Sequence, residues 1–136
     1  VADPIKITGL NQFVRDLKKI DNDLPKAVRR AFNAATGIIV DYARPRVPRR
    51  TGRAAATIKP RSTQTAARVV EGGRRAPYMP WLDFGGKAGP GRGVRRPWIA
   101  DGRFLYPALI FRSGELHQAL VDALLGVVAE AGIEVE

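Results

Sequence analysis

The chain has 136 residues, 45% of them hydrophobic, with a formal net charge of +10 and no cysteine. That length suits one domain with a real core and excludes wholesale disorder. Without thiols there are no disulfides, thiolate metal sites or cysteine nucleophiles, and no apolar run approaches the ~20 residues of a membrane helix.

The charge is unevenly placed. Residues 1–43 carry net +2, residues 44–103 carry net +12, and residues 104–136 carry net −4. The middle segment holds thirteen arginines against two lysines. Arginine presents a planar, forked donor set for phosphate or carboxylate. The asymmetry predicts a face directed at a polyanion or an acidic protein partner. The alternative is that some arginines solubilise loops or pair with acids elsewhere in an assembly. The Val1–Pro4 start lacks signal-peptide character. Met79 is the only methionine, so the initiator is expected to have been removed or the chain trimmed.

Leu10, Phe13, Leu17 and Ile20 recur at helical spacing and predict a short amphipathic helix capped by Thr8. Asp21-Asn22-Asp23 breaks it and places carboxylates where the next helix dipole favours them. Pro25 suits the first turn of that second helix. Leu24, Val28, Ala31, Ala35, Ile38, Ile39 and Tyr42 form its apolar stripe. It is expected to stop at Arg44, because Pro45 and Pro48 follow. Beyond the Thr51-Gly52 turn, Ala54–Arg61 and Ala66–Glu71 read as two short strands. Tyr78–Phe84 is a third strand or a mixed segment, since Pro80 interrupts it. Gly85–Gly93 is a flexible loop by composition. It fits neither the phosphate-binding P-loop nor the dinucleotide pattern. Phe104–Phe111 is apolar. A last helix is expected over about Glu115–Glu130, with Leu116, Leu120, Leu124 and Val127/Val128 buried. Ile133–Glu136 alternates like a short strand or is a frayed tail.

Catalytic groups are scarce. His117 is the only histidine and is expected on or near an exposed helix face, with no second imidazole to build a metal site. Ser62 and Ser113 are the only serines, and neither lies in a GxSxG elbow. Glu71, Asp83 and Asp101 are the only acids of the middle segment. Spacing permits a glycosidase-type pair. Fifteen surrounding cations would hold those acids ionised, which favours ion-paired structural acids. The expectation is therefore no enzyme, no cofactor and no metal.

Two readings of the basic centre remain. One is a free nucleic-acid-binding protein, in which arginines supply phosphate contacts and Tyr78, Trp81, Phe84 and Trp98 supply stacking. The helix over residues 24–44 has an apolar stripe and scattered basic residues, unlike a groove-reading helix. The other is an assembly protein whose basic Gly/Arg loops meet an acidic subunit or passing DNA. The acidic C-terminal helix then offers a patch to a neighbouring copy, and a head-to-tail contact of that kind closes into a ring.

Pro48-Arg49-Arg50-Thr51-Gly52-Arg53-Ala54-Ala55-Ala56-Thr57-Ile58 resembles the P-x-x-T-G-x-L-x-x-S segment of tail-completion and head–tail joining (neck) proteins of long-tailed bacteriophages. Tyr78-Met79-Pro80-Trp81-Leu82-Asp83-Phe84-Gly85 is similar to that family's Y-A-x-x-[LV]-E-F-G. Phe104-Leu105-Tyr106-Pro107-Ala108-Leu109 is similar to its P-F-L-x-P-A-L. Their order and rough spacing agree over roughly residues 8–130. Ala54, Thr57 and Asp83 replace the usual leucine, serine and glutamate, Pro80 intrudes, and Arg103 stands where proline is common.

Pro48, Thr51, Gly52, Tyr78, Asp83, Phe84, Gly85, Pro107, Ala108 and Leu109 are thereby expected to build a scaffold. Gly52 turns where a side chain would clash, and Thr51 caps the turn. Leu82 and Phe84 face the core, while Tyr78 and Asp83 hold the arginine-rich loop. The expected fold is α+β: a long helix and a C-terminal helix on one face of a small antiparallel sheet, with a flexible basic loop at about 85–103. Residues 1–136 form one tail-completion-like domain. The resemblance implies a virion protein at the head–tail junction, assembled in the host cytoplasm and without a membrane partner. It implies a ring, of six copies in preference to twelve, between the connector or head-completion protein and the tail tube protein. Phage DNA passes non-specifically through the lumen. The loops at 44–53 and 85–103 are expected to make contacts to partners or to the DNA path, through Arg49, Arg50, Arg53, Lys87, Arg92, Arg95 and Arg96.

Overall fold

The computed structural model describes residues 7–89, 91 and 93–132. Its centre is α2 (Leu24–Ala43), which packs against the N- and C-terminal helices and against the strands at 59–60 and 69–70. Helix α1 (Leu10–Ile20) lies beside it, and α6 (Ser113–Glu130) makes the most extensive contact with it. The short α5 (Leu105–Phe111) leads directly into α6. The architecture is α+β, with two separate two-stranded antiparallel ribbons in place of one sheet.

The sequence sets the limits of α2. Asp23 precedes it, Pro25 occupies its first turn, and Pro45 follows, where the chain tightens into a single 3-10 turn over Arg44–Arg46. The buried side is centred on Phe32, Ala35, Thr36, Ile39, Val40 and Ala43. The expected stripe is thus rotated: Ala31 and Ile38 sit at its margin, and the fully buried Phe32 lies at its middle. The Thr36 hydroxyl donates to the Phe32 carbonyl at 3.0 Å, so its burial leaves no donor unsatisfied. In α1, Val14 and Leu17 are buried, while Ile20 is 55% exposed at the frayed end of the predicted stripe. Gly9, and not Thr8, occupies the N-cap, with no side-chain cap.

The predicted strand over Ala54–Arg61 is instead a helical turn, α3 (Arg53–Ala56), followed by β1 (Lys59–Pro60). Three consecutive alanines favour helix, and local propensity prevails over a weak alternation. Its partner β2 is Val69–Val70, with Lys59 opposite Val70. The ribbon extends through Arg61 N–H donating to the Arg68 carbonyl and Thr63 N–H donating to the Ala66 carbonyl. It is pinned to α2 where the Ser62 N–H donates to Asn33 Oδ1 at 2.8 Å. The Arg44 guanidinium donates to the Ile58 carbonyl at 2.9 Å nearby.

Tyr78–Phe84 contains no strand. Helix α4 spans Met79–Phe84, and Pro80 sits in its first turn, where a missing N–H costs nothing. The segment expected as a loop carries the second ribbon, β3 (Gly86–Ala88) paired with β4 (Val94–Arg96). The last helix begins two residues earlier than predicted and buries Leu116, Leu120 and Val127. His117 is exposed, as expected. Residues 133–136 and Arg92, both subjects of sequence expectations, lie outside the described residues.

Candidate functional site

The chain returns repeatedly to α4. Asp83 points inward from it and is completely buried. Its Oδ1 accepts the Arg103 N–H at 2.6 Å and the Phe104 N–H at 3.0 Å, at the start of α5. Those donors would otherwise be orphaned at a helix N-terminus, where negative charge is also favoured. The Arg103 side chain reaches back to the Asp83 carbonyl at 2.9 Å and to the Pro97 carbonyl. Arg96 Nε donates to the Leu82 carbonyl at 3.0 Å, and Trp81 Nε1 to the Gly86 carbonyl at 3.2 Å. Ile99 N–H donates to the Phe84 carbonyl at 2.8 Å. Desolvation, and then the neighbouring charge of Arg103, lower the pKa of Arg96.

Gly85 ends α4 at φ 91°, ψ −159°, a region essentially reserved for glycine. A Cβ there would overlap the Pro97 carbonyl and lie 2.9 Å from the Arg96 oxygen. Its bare backbone is what lets the end of β4 close onto α4. The Phe84 ring lies between Trp98 and Tyr106, with centroids 6.1 and 6.2 Å away. Leu82 is half-buried against the core.

Glu71, at the end of β2, brings a second carboxyl to Asp83. Glu71 Oε2 and Asp83 Oδ2 are both buried, with no donor among the described residues. The two side chains are within hydrogen-bonding reach, so a proton kept on Glu71 can be donated to Asp83. Burial chiefly, then proton sharing with Asp83 and its charge, push the Glu71 carboxyl from 4.5 up to about 9. For Glu71 this corrects the expectation of an ionised, ion-paired acid. Most of the described cations of the middle segment are exposed, and burial dominates at Glu71. Both carboxyls border an apolar groove of about 980 Å³ that includes Phe32, Ile39, Leu109 and Leu116.

The folded chain retains a proton on Glu71 that the unfolded chain releases above about 4.5. Glu71 therefore supports folding fully below about pH 4.5, and that support is lost as pH rises toward about 9. The melting temperature should fall across this window, and Glu71→Gln should flatten the fall. Parallel melting profiles for the two chains would contradict the shared proton.

Thr57 is buried; its hydroxyl donates to the Ala54 carbonyl at 2.6 Å and accepts the Gly72 N–H at 3.0 Å. Thr51 Oγ1 accepts the Arg53 N–H at a long 3.4 Å. Gly52 adopts φ 77°, but no atom lies within 4 Å of where its Cβ would be. Its requirement is conformational, and the expected clash is absent. Pro107 and Leu109 are half-buried on α5 and Ala108 is fully buried, whereas Pro48 and Tyr78 are exposed.

The predicted contact cations divide into separate regions. Arg49, Arg50 and Arg53 are exposed around Gly52. Arg53 borders a depression of about 580 Å³ with Lys59, Arg61, Arg74 and Arg75. Sequence reading did not single out those last four, although Arg74-Arg75 after Gly72-Gly73 is itself a charged turn. Lys87 and Arg95 are exposed on the β3–β4 hairpin, while Arg96 is turned inward to Leu82.

Buried polar groups here are spent on fastening loops to helices, and the positive charge lies outside on turns and ribbons. That arrangement defines a structural scaffold with charged surfaces. The chain belongs to the HK97-gp10-like family, described as "Bacteriophage HK97-gp10, putative tail-component", whose family model matches residues 11–85. It is a phage tail-associated structural component of the virion. The match spans α1 through Gly85 and so includes the first two motifs; Phe104–Leu109 lies beyond it. Comparison with curated proteins and with solved structures returns no match. Among the described residues, no helix is long and apolar enough to cross a membrane.

Proposed function

We propose that the chain forms a ring at the phage head–tail interface and joins the connector to the tail tube. The observation that carries this reading, beside family membership, is the separation of charge. Exposed cations gather on the 49–53 turn, the 59–75 ribbon and the hairpin, while α6 contains no lysine or arginine. Opposite surfaces on one small chain suit repeated contact between copies. Six copies are proposed in preference to twelve. The partners are further copies, the connector or head-completion protein and the tail tube protein. The depression edged by Arg53, Lys59, Arg61, Arg74 and Arg75 is the proposed neighbour of DNA in the lumen, held without sequence preference.

The competing reading is a free nucleic-acid-binding protein, favoured by the same cations. Mass measurement of the purified chain, with and without nucleic acid, separates them. A ring formed without nucleic acid is the expected result. A monomer that binds duplex tightly, with affinity falling steeply as salt rises, would overturn it.

A further inference from the structure

We propose that the outer face of α6 in one copy docks on the exposed edge of the β3–β4 hairpin and residues 97–99 of the next copy. This rests on the ring reading and names its contact. In the hairpin, Lys87 lies directly opposite Arg95. Like charges so placed repel across a ribbon. Both side chains are exposed, and neither has an ion-pair partner among the described residues. An anion is the missing complement. Beside them Val94, Trp98 and Ile99 are 51%, 68% and 42% exposed. Exposed tryptophan and arginine together are the side chains that anchor protein interfaces.

The complementary chemistry is on α6. Glu115, Gln118, Asp122, Leu125 and Ala129 recur three and four residues apart, with Val121 four before Leu125, on the side away from buried Leu116, Leu120 and Val127. Val121 and Leu125 are 39% and 46% exposed within this acidic face. Glu115 is held by Arg112 of its own chain at 2.6 Å, whereas Asp122, beside Val121 and Leu125, has no ion-pair partner among the described residues. Asp122 is the anion offered to Lys87 and Arg95, and its apolar neighbours are offered to Trp98 and Ile99. DNA would match only the cations and would leave the apolar side chains uncovered. The hairpin packs on α4, whereas α6 packs on α2 and α5, so the two faces belong to different elements. The proposed contact repeats head-to-tail from copy to copy, the kind that closes into rings or extends into filaments; a two-fold pairing of the same faces would stop at covalent dimers.

The absence of cysteine makes the test clean. The full chain carrying Arg95→Cys and Asp122→Cys, oxidised at the concentration where mass shows the oligomer and also in intact particles, should give a covalent ladder of two, three and more chains. Either substitution alone should give no ladder. An intact oligomer without the ladder overturns this contact and leaves the ring reading standing. Dimers from Asp122→Cys alone indicate a symmetric α6 contact and overturn it as well. A monomer with no ladder at any concentration or in particles overturns both. Retention of duplex DNA that is lost in a Lys87→Glu, Arg95→Glu chain, with no ladder formed, assigns the hairpin to nucleic acid and likewise overturns it.

Discussion

Asp83→Ala is expected to lower the melting temperature by roughly 10–20 °C, equivalent to ~3–5 kcal/mol for a chain of this size. The substitution leaves the Arg103 and Phe104 N–H groups without an acceptor at the start of α5. Each orphaned buried donor costs about 1–3 kcal/mol. It also empties a completely buried site beside Glu71 and removes the acceptor of the shared proton. Asp83→Asn separates these effects. The amide oxygen still accepts both N–H groups, and the amide nitrogen donates to Glu71. The asparagine chain should lose much less stability than the alanine chain and should show a weaker decline of melting temperature with pH, because Glu71 then faces a neutral amide in place of a second carboxylate. Thermal melts of the three chains at two pH values check both points. Equal losses for alanine and asparagine would contradict the role of Oδ1.

Gly85→Ala should cost ~3 kcal/mol or more, and Gly52→Ala only ~1 kcal/mol. Both glycines have positive φ, at 91° and 77°. They differ in what surrounds them. At Gly85 the new methyl meets backbone: the Pro97 carbonyl and the Arg96 oxygen, neither of which can rotate away. At Gly52 it meets open space. Relief at Gly85 would require β4 to lift from α4, breaking the Ile99-to-Phe84 hydrogen bond. Hydrogen exchange at residues 94–99 should therefore rise in Gly85→Ala and stay unchanged in Gly52→Ala. Equal destabilisation by the two substitutions would contradict the close approach seen at Gly85.

The limits of α2 were legible because they depend on neighbours in sequence, Pro25 and Pro45, and α6 was legible to within two residues at its start from apolar residues at helical spacing. The short elements were less so. Ala54–Ala56 and Met79–Phe84 are each about one or two turns, too few for a period to declare itself. Pro80 was weighed as a strand breaker, yet the same missing N–H suits a helix start. The β3–β4 hairpin did leave a signal, since Gly85–Gly93 is flanked by Val94–Arg96 and a glycine-rich connection of a few residues can join two strands. Its charge and glycine content pointed instead to a loop.

The Asp83 site was half legible. Its motif marked it as a clamp on the arginine-rich segment, and it does hold that segment, through backbone N–H groups in place of an ion pair. The pairing with Glu71 was not legible. It depends on burial that brings together residues from β2 and α4, and composition alone predicted ionised acids. The four cations around the second depression were missed for the same reason: Lys59 and Arg61 meet Arg74 and Arg75 only through the fold.

The most direct test of the proposed role is made in the phage that encodes this chain. A stop codon placed early in its gene should yield, by electron microscopy of the lysate, filled heads and separate tails that fail to join. Supplying the chain from a plasmid should restore joined particles. Joined, infectious particles formed without the chain would contradict a place at the head–tail junction.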